Sequence, residues 1–166
     1  CGVTDVVMTT GAFDSVLVQY CQELDTPLNI TFVKNPLFAE TNYIYSIYCA
    51  KDYLKDEEIV LMHGDLVFEE SILSDIVNSD GSVMAVSSTV ALPEKDFKAV
   101  VQNGLVKKVG IEFFNEAMAA QALYKLDKQT WNVWLNKIME YCERCEEEKK
   151  KCYAENALNE ITDQCE

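Results

Sequence analysis

The sequence predicts an α/β fold, and three observations carry the prediction. Apolar, β-branched runs at residues 3–8, 28–33 and 59–62 have the length and the bounding turns of buried strands. Segments with apolar side chains at helical spacing lie between them, so that strand, helix, strand, helix, strand follow one another. That order is the mark of parallel βαβ units with right-handed crossovers, and it predicts a three-layer sandwich with a mostly parallel sheet. The third observation is a change of texture at 97–109, where two alternating runs flank Asn103-Gly104 and predict an antiparallel hairpin on a type I′ turn.

Each element has its own reason. The first strand ends at Thr9-Thr10-Gly11, and Asp14 or Ser15 is placed to cap a helix whose Val16, Leu17, Tyr20 and Leu24 recur on one face. Asp25-Thr26-Pro27 breaks that helix. The second strand meets a turn at Lys34-Asn35-Pro36, because the residue before a proline is pushed out of the helical region. Thr41 or Asn42 caps the next helix, with Ile44, Ile47, Tyr48 and Leu54 as its apolar stripe. The third strand stops at His63-Gly64-Asp65. A short helix at 69–77 and a turn at 78–81 lead to a fourth strand at 82–87.

After the hairpin, an apolar strand is expected at 117–126. Asp127 then caps a helix that carries Trp131, Trp134, Leu135, Ile138, Met139 and Cys142 on one face. The charge block at 146–151 reads as a solvated surface with local ion pairing, and the last element, 153–161, as a helix burying Ala157, Leu158 and Ile161.

Composition narrows what the chain does. With 166 residues, 49% of them hydrophobic, it is expected to form one domain over 1–166 with a real core. Fourteen Lys and Arg against 28 Asp and Glu give a formal charge of -14, which repels nucleic acid and anionic membranes. A phosphorylated ligand therefore has to be held by a few local lysines, backbone amides or a divalent cation. No apolar run approaches the roughly 20 residues that span a bilayer, and no leader pattern opens the sequence. Seven cysteines, scattered through strand-like and helix-like segments, fit free thiols in a reducing cytoplasm. Cys142 and Cys145 form a C-x-x-C, but the spacing to Cys152 and Cys165 fits no common structural zinc pattern.

The six glycines stand singly, so neither a dinucleotide-binding nor a P-loop pattern exists, and a nucleophile elbow is missing as well. His63 is the only histidine, which excludes any mechanism needing two; a base, a phosphate contact or a packed ring all remain open for it. Asp65 lies just past a buried strand, where ligands collect in open α/β sheets, although Gly-Asp also makes ordinary turns. Thr41, Asn42, Tyr45 and Ser46 cluster at a helix start, and Lys98 opens the hairpin. Such parts suit metal-assisted transfer between phosphates, in which a protein mainly positions groups and neutralises charge.

The run from Gly2 to Gly11, then Asn35-Pro36 leading to Thr41-Asn42-Tyr43-Ile44-Tyr45-Ser46, then His63-Gly64-Asp65, closely resembles nucleotidyltransferases of the phosphocholine cytidylyltransferase type. The resemblance continues through Lys95-Asp96-Phe97-Lys98, Gln121-Ala122-Leu123-Tyr124-Lys125 and the run from Cys152 to Asn159, and so spans nearly the whole chain. It implies a Rossmann-like nucleotidyltransferase fold and an Mg²⁺-dependent reaction. In that reaction the phosphate of a small phosphorylated alcohol attacks the α-phosphate of an NTP, usually CTP, and pyrophosphate leaves. The resemblance casts Asp65 as metal ligand and Lys98 as the cation that neutralises phosphate, with Asn42 and Ser46 lining the pocket. Tyr124, Tyr153 and Glu155 are expected to form an aromatic and acidic recess for a cationic alcohol such as choline.

Two family features have no counterpart here: a glycine-rich loop with a basic residue before the first strand, and an acidic pair after the last helix. Together with the absence of an initiator Met, they lead to the expectation that the sequence is an excised piece without catalytic competence, holding half of a metal site. A sugar-1-phosphate or aminoethylphosphonate nucleotidyltransferase is the alternative enzyme, and a non-catalytic nucleotide-binding module the alternative of another class. Self-association into a homodimer is left open.

Overall fold

The computed structural model describes residues 2–144 and 151–164. Cys1, Cys145, the charge block at 146–150 and Cys165 lie outside the described residues. The elements are β1 (Asp5–Thr10), α1 (Asp14–Glu23), β2 (Asn29–Lys34), α2 (Tyr43–Leu54), β3 (Ile59–Met62), α3 (Glu70–Asn78) and β4 (Val83–Ser87). They continue with β5 (Lys98–Gln102), β6 (Leu105–Gly110), β7 (Ala117–Leu126), α4 (Lys128–Glu143), α5 (Ala154–Leu158) and a 3-10 turn at Thr162–Gln164. The class is α/β, with one parallel and one antiparallel sheet. Among the described residues no helix is long and apolar enough to cross a membrane. The chain divides into two compact units, Gly2–Lys55 with Leu135–Ala154, and Asp56–Trp134 with Glu155–Glu166.

In the first unit β1 and β2 pair in parallel, from Asp5 opposite Asn29 to Thr10 opposite Lys34. Helix α2 packs on them and buries Ile44, Ile47 and Ala50, as its apolar spacing requires. Asn42 is its cap: the side chain accepts from Tyr43 N at 2.7 Å. The C-terminal half of α4 belongs to the same unit, with Cys142 Sγ 4.0 Å from Ile44 O and Tyr48 OH 3.4 Å from Glu143 Oε1.

Helix α1 departs from expectation in two ways. Its N-cap is Phe13, in the left-handed region at φ 57°, and no side chain caps it. Asp14 is committed elsewhere, accepting from Thr10 Oγ1 and pairing with Lys34 Nζ at 3.1 Å. The stripe of Val16, Leu17, Tyr20 and Leu24 is exposed, and Cys21 is the helix's buried residue. Periodicity shows that a helix has an apolar face, not what covers it.

The second unit is built on β7. β3 and β4 run in the same direction, as the crossover through α3 demands, yet they are not neighbours, since each pairs antiparallel with β7. Only β1 and β2 are paired in parallel among the described strands, so the expectation of a mostly parallel sheet needs this correction. The apolar run of β7 carries no information about its direction. The β5–β6 hairpin is as expected, and Asn103 and Gly104 take φ of 53° and 79°, the two left-handed residues of a type I′ turn.

On one side of β7 lie Trp131 and Trp134, both with no exposed surface. Their rings meet edge to face at 5.9 Å, and Trp134 meets Tyr124 in the same way at 5.4 Å. Asp127 caps α4 as expected, accepting from Gln129 N and Thr130 N and from the hydroxyls of Ser82 and Thr130. Burial opposes the ionisation of this carboxylate, but those hydrogen bonds together hold it below the usual range.

Candidate functional site

The register of β7 shows where the second unit is interrupted. Ala119 pairs with both Ser87 and Lys98, and Tyr124 with both Leu61 and Met84. A strand has only two edges, so β4 follows one edge while β3 and then β5 share the other, end to end. The last contact of β3 is His63 N to Ala122 O at 3.2 Å, and the first of β5 is Ala120 N to Phe97 O at 3.0 Å. Between them stands Gln121. The chain therefore leaves this edge of β7 just after His63, runs as β4 along the other edge, and returns to the first edge just before Lys98, on either side of one residue.

Asp65 lies in the loop that leaves. Leu66 N donates to His63 O at 3.4 Å, and a Cβ added to Gly64 would meet nothing within 4 Å. Asp65 is exposed. His63 sits half-buried at the root of this loop, its ring 6.3 Å from that of Phe97. Burial lowers the imidazole pKa, against the opposing charge of Asp65.

Lys98 opens the returning strand and is completely enclosed. Its ammonium donates to Pro93 O at 2.6 Å and Asp96 O at 3.0 Å and lies 4.2 Å from the centre of the Phe114 ring. These contacts fix the segment before β5 and occupy the charge within the protein.

Tyr124 and Glu155 come together, but in the core. Tyr124 OH donates to Glu155 Oε1 at 2.7 Å, and the two residues are 3% and 1% exposed. Burial pushes the Glu155 carboxyl up to about 8 and raises the phenol as well. Both side chains are enclosed, so the pair does not line an open recess. Tyr153 lies in the other unit, 37% exposed, with its ring 6.4 Å from that of Tyr43.

Asn42 and Ser46 also belong to the parallel unit. Asn42, besides capping α2, reaches Lys151 O at 3.4 Å. Ser46 Oγ accepts from Asn35 Nδ2 at 3.1 Å, and the same amide nitrogen donates to Thr41 Oγ1 at 3.1 Å. Asn35 Oδ1 accepts from Leu37 N at 2.8 Å. Asn35 is 1% exposed and is thus the hub that ties the strand end to the start of α2. The sequence marks it only as the residue before a proline. Gln121 likewise enters the sequence reading only as part of the stretch 121–125 that carries the resemblance, with no site role of its own.

Among the described residues no group of three His, Cys, Asp or Glu forms a metal cage. A polar groove of about 410 Å³ on the second unit is lined by Asp127, Gln129, Thr130, Val133, Asp163 and Gln164 and contains none of the expected site residues.

No protein-family model matches the sequence, and the comparison with curated proteins finds no match. Solved structures do match. The inositol-1-phosphate CTP transferase from T. maritima superposes with a TM-score of 0.73 at 19% identity, over 98% of this chain and 64% of that one. A Bacillus anthracis protein assigned as a glucose-1-phosphate thymidylyltransferase, solved with sucrose, gives 0.73 at 15% identity, over 99% and 66%. An apo UDP-glucose pyrophosphorylase gives 0.65 at 11% identity, over 99% and 71%. The fold is a nucleotidyltransferase fold. At these identities the likeness is one of fold, and the chain spans about two thirds of the length of the first two structures.

Proposed function

We propose that this nucleotidyltransferase fold transfers a nucleotidyl group from an NTP to a small phosphorylated polyol or sugar, with release of pyrophosphate. The observation that carries the reading is the exposed Asp65, at the end of β3 and at the break in the β7 edge, in a fold that nucleotidyltransferases share. The formal charge of -14 repels a triphosphate, so a cation has to accompany it. Mg²⁺ suits one exposed carboxylate, because it keeps several waters and is usually held by one or two carboxylates together with substrate phosphates. When bound it would neutralise phosphate charge. Asp65 would hold it, and Gly64 leaves that loop free of side-chain bulk.

Lys98, enclosed by two carbonyls, acts here as a positioning residue that fixes the segment returning to the edge of β7. Asn35 does the same for Asn42 and Ser46 in the parallel unit. A phosphocholine acceptor is the second reading, and the residue resemblance favours it. The buried Tyr124–Glu155 pair favours the polyol or sugar instead, because the acid expected to attract a quaternary amine is already engaged by a tyrosine.

The test is Mg²⁺-dependent pyrophosphate release by the full-length protein from CTP, UTP and dTTP with inositol 1-phosphate, glucose 1-phosphate and phosphocholine. Asp65→Asn should lower turnover by at least ~100-fold, in line with removal of a charged group that stabilises a developing charge. Full activity in that variant would remove Asp65 from the reaction.

A further inference from the structure

We infer that Gln121 is the residue that reads the acceptor, by hydrogen bonding to its hydroxyl groups. This deepens the function proposed above and rests on it. The inference starts from an anomaly in β7. Along its ten residues Gln121 is the exposed position, set between buried Ala120 and Ala122. Its amide makes no hydrogen bond among the described residues. A long polar side chain held in the open at the middle of a central strand contributes nothing to packing there.

The backbone on both sides is arranged around it. On one edge β3 has ended at Ala122 and β5 has not begun until Ala120, so the neighbouring strand is interrupted opposite Gln121. On the other edge the register slips. Met84 faces Tyr124 and Val86 faces Ala120, so two steps of β4 are matched by four of β7, and residues 121–123 bulge. Bulges re-aim a side chain and end pairing, and they are frequent beside active sites. A bulge on one edge and a strand break on the other meet at a single residue. The break is also where the loop bearing Asp65 departs and where Lys98 returns.

The chemistry of the side chain selects the ligand class. A carboxamide offers two N–H donors and a carbonyl acceptor and carries no charge. It pairs well with the hydroxyls of a polyol or sugar. A trimethylammonium group has neither donor nor acceptor and gains nothing from it. Gln121 therefore discriminates a hydroxylated phosphate ester from phosphocholine.

The experiment is calorimetric titration of inositol 1-phosphate, glucose 1-phosphate and phosphocholine into the full-length protein with Mg²⁺ and α,β-methylene CTP, for wild type, Gln121→Leu and Gln121→Asn. Thermal melting confirms that the variants are folded, as expected for an exposed position. For a hydrogen bond to a buried ligand, Gln121→Leu should weaken at least one of the two hydroxylated esters by ~10-fold or more and leave phosphocholine unchanged, with Asn intermediate. Equal affinity of wild type and Leu variant for the hydroxylated esters would overturn the inference. So would parallel losses for all three ligands, or no binding of either hydroxylated ester to the wild type. Pyrophosphate release measured in parallel separates the two claims. The binding pattern without turnover sinks the transferase reading and keeps Gln121 as a ligand contact, whereas turnover indifferent to Gln121→Leu sinks the inference alone.

Discussion

The two units of this chain treat their polar groups in opposite ways. Around β7, polar side chains are drawn into the interior: Lys98, Tyr124 and Glu155 are all at most 3% exposed, packed among or beside aromatic rings. In the β1–β2 unit the polar groups gather at the strand ends. Thr10, Asp14 and Lys34 form one small network and Asn35, Thr41 and Ser46 another, while the apolar stripe of α1 faces outward. The first arrangement produces a rigid platform in which a few exposed groups, Asp65 and Gln121, stand out. The second gives a surface whose shape depends on hydrogen bonds between side chains, and its rigidity is concentrated in Asn35.

The contrast can be broken by substitution. The largest effect is expected at Trp134, whose ring is wholly enclosed between Tyr124 and Trp131. Trp134→Ala should cost about 3–5 kcal/mol in urea denaturation, with the loss of amide protection centred on β7. A cost below about 1 kcal/mol would show that the β7 platform is not the stable part.

The second effect concerns Glu155 and is read with pH. Its carboxyl lies near 8 in the folded protein, against 4.5 as an ordinary value, so the folded state holds the proton more tightly. This contribution to stability is complete below about pH 4.5, falls as pH rises, and levels off above about pH 8. The loss across that window should be on the order of a few kcal/mol, and Glu155→Gln should flatten the profile. An unchanged slope in the variant would mean that other groups set it.

Smaller effects belong to the parallel unit. Asn35→Ala removes the partner of Thr41 Oγ1, Ser46 Oγ and Leu37 N and should cost about 1–3 kcal/mol, with faster hydrogen exchange at the start of α2. Exchange there as slow as in wild type would deny Asn35 its role as hub. The smallest change is expected from Lys34→Ala. The ammonium pairs with Asp14 at 3.1 Å but is mostly in solvent, so the melting point should barely move, and less at high salt.

Much of the fold was legible in the sequence, because it is written locally. Alternation and apolar runs placed all the strands, Asn103-Gly104 placed the hairpin turn, and Asp127 and Asn42 announced their helices. Errors arose where a local pattern has no direction or no partner. An apolar strand reads the same both ways, so β7 gave no sign that it would run between β3 and β4. The apolar stripe of α1 likewise gave no sign of being exposed.

For the candidate site the division is sharper. Asp65 is proposed from a local feature, a carboxylate after Gly at the end of a buried strand, and the structure places it exposed in the loop after β3. Residue type and spacing also brought Lys98, Tyr124 and Glu155 forward, but whether they face solvent is a matter of burial, which depends on segments far apart in the chain. Tyr124 and Glu155 are 31 residues apart and meet in the core. Sequence by itself determined the helices, strands and turns, because each follows from the conformational preferences and apolar spacing of neighbouring residues. The break opposite Gln121, the bulge beside it and the enclosure of Lys98 were decided only by tertiary structure, because each is a relation between strands that the chain brings together from a distance.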